Sequence, residues 1–148
     1  MANPVLLSNA YVAFTTSTGS AVYTEVDANK SIELPLSKAE LANSVMGDSA
    51  ETFFPGLTSA PVTLVHRQDF GTAGIDKKFY TLWSASTPFR LKFRPVDAAA
   101  SSTNPSFILS PVRIFSVTPI SGAHGVLLDN SITLKLGSGA TVTRSTTT

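Results

Sequence analysis

The sequence predicts a single, mainly β domain, an antiparallel β-sandwich or barrel with one flanking α-helix. Seven or eight segments alternate apolar and polar residues, as half-buried strands do, and one segment carries a helical apolar stripe. No internal repeat and no linker-like change of composition divides the 148 residues, which are enough for one core. We expect a single domain over residues 1–136, followed by a Ser/Thr-rich tail over residues 137–148.

The first strands are expected at residues 11–16, 21–26 and 31–36, where apolar side chains recur at every second position. Gly19-Ser20 is a short hairpin signal, and residues 27–30 supply turn chemistry before the third strand. These signals predict an up-and-down start.

Residues 37–59 show no sustained period and are interpreted as a long excursion. Loops of this length are uncommon in compact domains unless they have a function, and two adjacent phenylalanines are costly to leave in water. We therefore expect this segment to dock on its own domain or on a neighbour. The candidate docking residues are Met46, Gly47, Asp48, Phe53, Phe54, Pro55 and Gly56.

In the second half of the chain we expect one strand, then a helix, then three further strands. A strand is expected over residues 60–69, and Ile75, Phe79, Leu82 and Trp83 have the spacing of one helical face. They predict a helix at about residues 75–86 that ends before Thr87-Pro88, with Leu82 and Trp83 in the core. The further strands are expected at residues 89–95, 107–117 and 127–136.

Composition excludes several classes of protein. The chain has no cysteine, which rules out disulfides and Cys-based zinc or iron–sulfur sites. No apolar run approaches the about 18–20 residues that span a bilayer, so no membrane insertion is expected. The first residues lack the positive region of a secretory signal, which favours synthesis in the cytoplasm.

Motifs for common enzyme activities are absent from the sequence. There is no Gly-rich phosphate loop followed by Lys-Ser/Thr, no Gly-x-Ser-x-Gly and no His-Glu-x-x-His. The two histidines, His66 and His124, are interpreted as ordinary polar positions because zinc sites usually need three or four ligands. We expect no enzymatic activity and no cofactor.

One cationic row stands out in the strand over residues 89–95. Arg90, Lys92 and Arg94 alternate with apolar residues and therefore share one face. Such a row can track phosphates of a nucleic acid, or it can meet acidic groups of a neighbouring subunit. The net charge of +1 favours the second interpretation, in which these residues are interface cations.

Several short motifs, in this order and spacing, resemble the major tail tube proteins of long, non-contractile-tailed bacteriophages. The resemblance runs from about residue 5 to the end of the chain. The motifs are Met46-Gly47-Asp48-Ser49, Pro55-Gly56-Leu57, Gln68-Asp69-Phe70, Leu82-Trp83, Phe93-Arg94-Pro95 with Asp97, and residues 100–105.

This resemblance implies a β-sandwich subunit that assembles with itself into hexameric rings, whose inner sheets join into one barrel. Stacked rings would form the conduit through which the phage genome passes, without specific binding of the DNA. It also implies assembly in the host cytoplasm, a place in the virion tail, and contacts with the tape measure, terminator and distal tail proteins.

Within such a tube, Glu25 and Glu33 are candidates for the lumen, because they are polar positions on strands with apolar opposite faces. The cations Arg90, Lys92 and Arg94 are expected at subunit or ring contacts. One alternative is another ring-forming protein, such as a tail terminator or a secretion-system tube subunit. A more distant alternative is a β-sandwich module that binds a polysaccharide or a nucleic acid.

Overall fold

The computed structural model describes residues 10–17, 22–27, 29–47 and 49–147, and in these ranges it contains nine β-strands and one α-helix. The elements are β1 Tyr11–Thr15, β2 Thr24–Glu25, β3 Asn29–Glu33, β4 Ser37–Ala42, β5 Phe53–Ser59, β6 Val62–Arg67, α1 Ile75–Ser84, β7 Phe89–Arg94, β8 Ser106–Val117 and β9 Asp129–Ser145. The prediction of a mainly β chain with one helix is confirmed. Residues 1–9, the Gly19-Ser20 signal and Asp48 lie outside the described residues.

Seven of the strands form one antiparallel sheet in the order β2-β1-β7-β8-β9-β6-β3. The sheet is strongly curled. In a flat sheet the four steps from β1 to β6 would separate these strands by about 19 Å. Yet Phe14 of β1 and His66 of β6 both contact the ring of Phe79 in α1, with ring centroids 5.1 Å and 5.4 Å away. The helix therefore fills the concave side of the sheet.

The concave face holds the hydrophobic core. Side chains alternate along each strand, so β1, β6, β7, β8 and β9 each direct one set of residues inward. The fully buried residues of this set include Val12, Val62, Leu64, Leu91, Leu109, Val112, Ile132 and Leu134. The curl brings all of them into one cluster with Phe79 and Leu82 of the helix.

The predicted helix is confirmed to within two residues at its end, but the core position of Trp83 is wrong. Phe79 and Leu82 are buried and Ile75 is half-buried, whereas Trp83 is 40% exposed. At 3.6 residues per turn, Trp83 lies about 80° from Ile75 around the helix axis, at the margin of the buried stripe. It packs against Tyr80 instead, with ring centroids 5.6 Å apart.

The up-and-down start is confirmed only for its first pair of strands. β1 pairs with β2, but β3 pairs with β6 at the opposite edge of the sheet. Val26 is buried in the core between the two edge strands, and the Asn29 side-chain amide donates a hydrogen bond to the Val26 carbonyl at 2.7 Å. After β2 the chain therefore crosses to the opposite edge of the sheet, with Val26 buried on the way.

The expected long docking loop over residues 37–59 is a β-hairpin, so its description as an excursion without strands is wrong. β4 and β5 pair from Ser37 with Ser59 to Ala42 with Phe53. Every residue of β4 and all of β5 except Gly56 are exposed. Because neither face is buried, the sequence has no reason to alternate, and the period-2 signal is absent.

The predicted tail at residues 137–148 is also wrong, because β9 continues to Ser145. Ser110 of β8 lies opposite Thr141 while Val112 lies opposite Leu136, so four residues of β9 face Pro111 alone. Gly139 in this bulge has a φ of 68°, which favours glycine. The glycines that suggested a flexible tail serve to bend a long strand.

Candidate assembly surfaces

The outer face of β1, β2 and β7 carries the cationic row. Arg90, Lys92 and Arg94 point outward because they alternate with buried residues of β7. Ala13 of β1 lies opposite both Glu25 and Lys92. Directly opposite residues of an antiparallel pair share a face, so Glu25 and Lys92 lie on the same surface. The sequence-based assignment of Glu25 and these cations to different surfaces does not fit this register.

Aromatic rings cover two of these cations. The Arg94 guanidinium lies 4.0 Å from the ring centroid of Tyr11, and it also approaches the Asp97 carboxylate at 3.7 Å. The Lys92 ammonium lies 5.4 Å from the ring of Tyr23. Partial burial, with the charge of Arg94 as a second cause, lowers the pKa of Lys92. Partial burial also raises the pKa of Tyr11, although Arg94 opposes that shift.

A second outer face of the sheet carries mainly hydroxyl groups in place of the cationic row. It is formed by β3, β6, the first half of β9 and the second half of β8, and its central rows are rich in hydroxyl groups. Thr63 lies opposite both Glu33 and Thr133, which in turn lies opposite Ser116. We call this surface the hydroxyl wall, and it comprises Ser31, Glu33, Thr63, Val65, Ser116, Ser131 and Thr133.

Glu33 belongs to the hydroxyl wall and Glu25 does not. The inner side chains of β1 and β6 approach Phe79 from two directions. The outer faces of these strands consequently point away from each other. Glu25 and Glu33 are both exposed, but they lie on different sides of the curled sheet.

The sheet has two edges within the described residues. β2 and β3 are its outermost strands, with two and five residues. On the β3 side, the Lys30 ammonium pairs with the Asp129 carboxylate at 2.5 Å. An edge strand presents backbone groups that can pair with another chain.

The hairpin exposes most of its apolar residues. Phe53 and Phe54 are 52% and 59% exposed, and Leu57 and Met46 are exposed still further. A Cβ on Gly56 would lie 3.1 Å from the Leu41 side chain, so glycine allows the two strands to approach closely there. A two-stranded hairpin is only marginally stable by itself in water. Of the two docking options, this exposure favours a neighbouring molecule over the hairpin's own domain.

Neither histidine lies in an assembled site of the described region. His66 is buried beneath α1, with Nδ1 3.0 Å from the Arg67 carbonyl oxygen, and His124 is exposed. Among the described residues, no three side chains of His, Asp or Glu are grouped so that they could hold a metal ion. The helix in the described ranges is not of the length and apolarity that a membrane span requires.

We compared this chain with known proteins. No family model matches the chain, and no curated protein matches it either. Among solved structures, the SPP1 tail tube superposes with a TM-score of 0.74 at 11% identity, over 97% of this chain and 80% of that one. This chain has the tail tube fold.

Two further structures share this tail tube fold. The tail of an empty gene transfer agent particle superposes with a TM-score of 0.66 at 12% identity, over 90% of this chain and 94% of the other. The sheath/tube terminator of an extracellular contractile injection system, PVC, gives 0.70 at 15% identity, over 97% and 98%. At these identities the likeness establishes the fold, and it is common to tubes and to a tube terminator.

Proposed function

We propose that this chain is the tail tube subunit of a phage-type particle. Copies of it assemble into hexameric rings, and stacked rings form the conduit for genome delivery in the virion tail. The superposition on the SPP1 tail tube over 97% of the chain carries the proposal. The gene transfer agent tail, which was refined with C6 symmetry, supports the sixfold ring.

Two features of the isolated subunit support self-assembly. The edges that β2 and β3 form within the described ranges can each accept a strand from a neighbour, which removes exposed backbone groups when a ring closes. The exposed hairpin offers apolar side chains that gain by burial in another subunit. The subunit acts as a structural protein, with the other tail proteins as its further partners and no enzymatic step.

We further propose that the hydroxyl wall lines the lumen. DNA must slide along the lumen, and each phosphate that a cation neutralises adds affinity. The wall presents neutral hydroxyl groups and the carboxylate of Glu33 in its central rows. The cations of this face lie at the ends of those rows, Arg67 opposite Asp129 at one end and Arg113 opposite Lys135 at the other. On the opposite face, Arg90, Lys92 and Arg94 form an unbroken row along β7. Glu33 is therefore the lumen candidate, and Glu25 with the cations belongs to contacts between subunits.

Electron microscopy and sedimentation of the purified, untagged protein test the tube itself. We expect hollow tubes of variable length as the protein concentration is raised, without nucleotide or metal. Single rings that never stack would favour the terminator alternative. A protein that stays monomeric across salt and concentration would contradict the proposal.

Single-cysteine labelling tests the lumen assignment, because the chain has no native cysteine. We expect the thiol of Thr63→Cys or Thr133→Cys in assembled tubes to react with a small maleimide but not with a maleimide on a large polymer. The same variants labelled before assembly serve as the control and should react with both reagents. Equal reaction of the large reagent before and after assembly would rule out a lumen position.

A further inference from the structure

An aromatic patch lies on the solvent side of the helix and on the loop before it. Phe70, Tyr80 and Trp83 form this patch and are 64%, 52% and 40% exposed. Tyr80 packs on Trp83, and Phe70 and Tyr80 line the same cavity. Tyrosine and tryptophan are enriched at the energetically dominant positions of protein interfaces.

The cavity in this patch has a volume of about 390 Å³. Val117 and Pro119 contribute apolar walls, and Asp76 and Asn130 line its polar part. It is large enough to accept one bulky apolar side chain from a partner. Asp76 itself is already tied to the fold, because Asn130 and the backbone N–H of Asp69 both donate hydrogen bonds to its carboxylate.

The loop that carries Phe70 is held in place before any partner arrives. The backbone N–H of Gln68 donates to the Leu128 carbonyl at 3.0 Å, and its side chain donates to the Pro119 carbonyl. The backbone N–H of Gly71 donates to the Asp69 carboxylate at 2.9 Å. A side chain presented by an ordered loop loses little conformational entropy on binding.

The aromatic patch and the hairpin carry charges of opposite sign. Lys77 is exposed on the helix and lines the same cavity as Phe70 and Tyr80, and the described residues show no ion pair for it. The hairpin segment carries the exposed acids Glu40 and Glu51 and one exposed cation, Lys38. Opposite charges of this kind orient a contact and increase the rate of association.

We propose that the aromatic patch receives the hairpin of a second copy of this chain. Phe53 or Phe54 enters the cavity between Phe70 and Tyr80, while the hairpin acids face Lys77. The contact joins two different surfaces of identical chains, so it propagates from subunit to subunit as a tube requires. This inference rests on the proposed tube function, since it names the surface that the hairpin uses there.

Charge reversal with rescue tests the contact. Lys77→Glu should raise the protein concentration at which tubes appear severalfold, and Glu40→Lys with Glu51→Lys should do the same. All three changes in one chain should restore assembly towards the wild-type concentration. Circular dichroism of each variant checks that the subunit is folded.

Disulfide trapping locates the contact directly. Subunits carrying Phe54→Cys are mixed with subunits carrying Tyr80→Cys, assembled and oxidised. We expect a covalent heterodimer on a non-reducing gel, and none when Thr143→Cys replaces Tyr80→Cys as an exposed control. Tubes that form normally but give no heterodimer and no charge rescue would overturn this inference alone. Failure of the wild-type chain to form tubes would instead overturn the proposed function.

Discussion

The curled sheet and the β4–β5 hairpin belong to one chain but are stabilised in different ways. The sheet turns one complete face into a core that it closes with α1, whereas the hairpin hides neither of its faces. Full burial of one large apolar side chain contributes about 1.5–3 kcal/mol. The sheet buries many such side chains within the subunit. The hairpin side chains are exposed in the subunit, so they would gain this stabilisation by contact with another molecule.

The largest expected difference between the two regions concerns their phenylalanines. Phe79→Ala should lower the free energy of unfolding by about 3–5 kcal/mol, because Phe79 is fully buried between β1, β6 and the helix. Phe54→Ala should change it by no more than about 0.5 kcal/mol in the unassembled subunit. Urea unfolding below the concentration of assembly measures both. A large loss from Phe54→Ala would place the hairpin in the subunit's own core.

The bend in β9 should be sensitive to its backbone rather than to its packing. Gly139→Ala should cost about 1–2 kcal/mol, because the positive φ is unfavourable for a side chain although no atom lies within 4 Å of the added Cβ. Ser138→Ala, next to it and exposed, is the control and should be nearly neutral. Equal stabilities of the two variants in urea would show that the bend does not depend on glycine.

The two sides of the helix give a smaller contrast. Trp83→Ala should cost about 1 kcal/mol in the subunit, well below the cost of Phe79→Ala, because Trp83 is partly exposed and packs mainly on Tyr80. Trp83 is also the single tryptophan, so its fluorescence reports on the patch alone. If the patch receives the hairpin, emission should shift to shorter wavelength on assembly. A loss of stability as large as that of Phe79→Ala would show that Trp83 is a core residue after all.

The smallest expected effect is a titration on the cationic face. The pKa of Lys92 should lie below 10.5, and Arg94→Gln should raise it part of the way, since burial remains. A lysine with a lowered pKa in the folded state binds fewer protons than in the unfolded state. Its contribution to stability therefore rises with pH through the interval between the lowered pKa and 10.5. NMR titration of the Lys92 side chain measures the shift, and an ordinary pKa would contradict the burial.

Much of the fold could be predicted from local patterns. β6, β7 and α1 have one buried face each, so Val62, Leu64, Leu91 and Phe79 carry a clear period. The strands of the hairpin could not be predicted from a period because the hairpin buries no face. The Gly/Ser/Thr stretch of β9 resembled a tail because its glycines lie where the strand bends. In neither segment does burial give the sequence a period: the hairpin is exposed on both faces, and the bend of β9 faces Pro111 of the distant strand β8.

The candidate surfaces were harder to predict than the strands. Glu25 and Glu33 have similar local patterns, yet the register of β2 with β1 places Glu25 beside Lys92. The hydroxyl wall joins β3, β6, β9 and β8, which are far apart along the chain. Alternating hydroxyls such as Ser131 and Thr133 are visible in the sequence, but only the strand order unites them in one surface.

Hydrogen–deuterium exchange of the subunit and of the assembled tube tests most directly whether the hairpin depends on a neighbour. We expect the amides of β4 and β5 to exchange rapidly in the unassembled subunit and to become protected in the tube, while those of β6 and β7 are protected in both. Hairpin amides that are as protected in the lone subunit as in the tube would contradict this expectation.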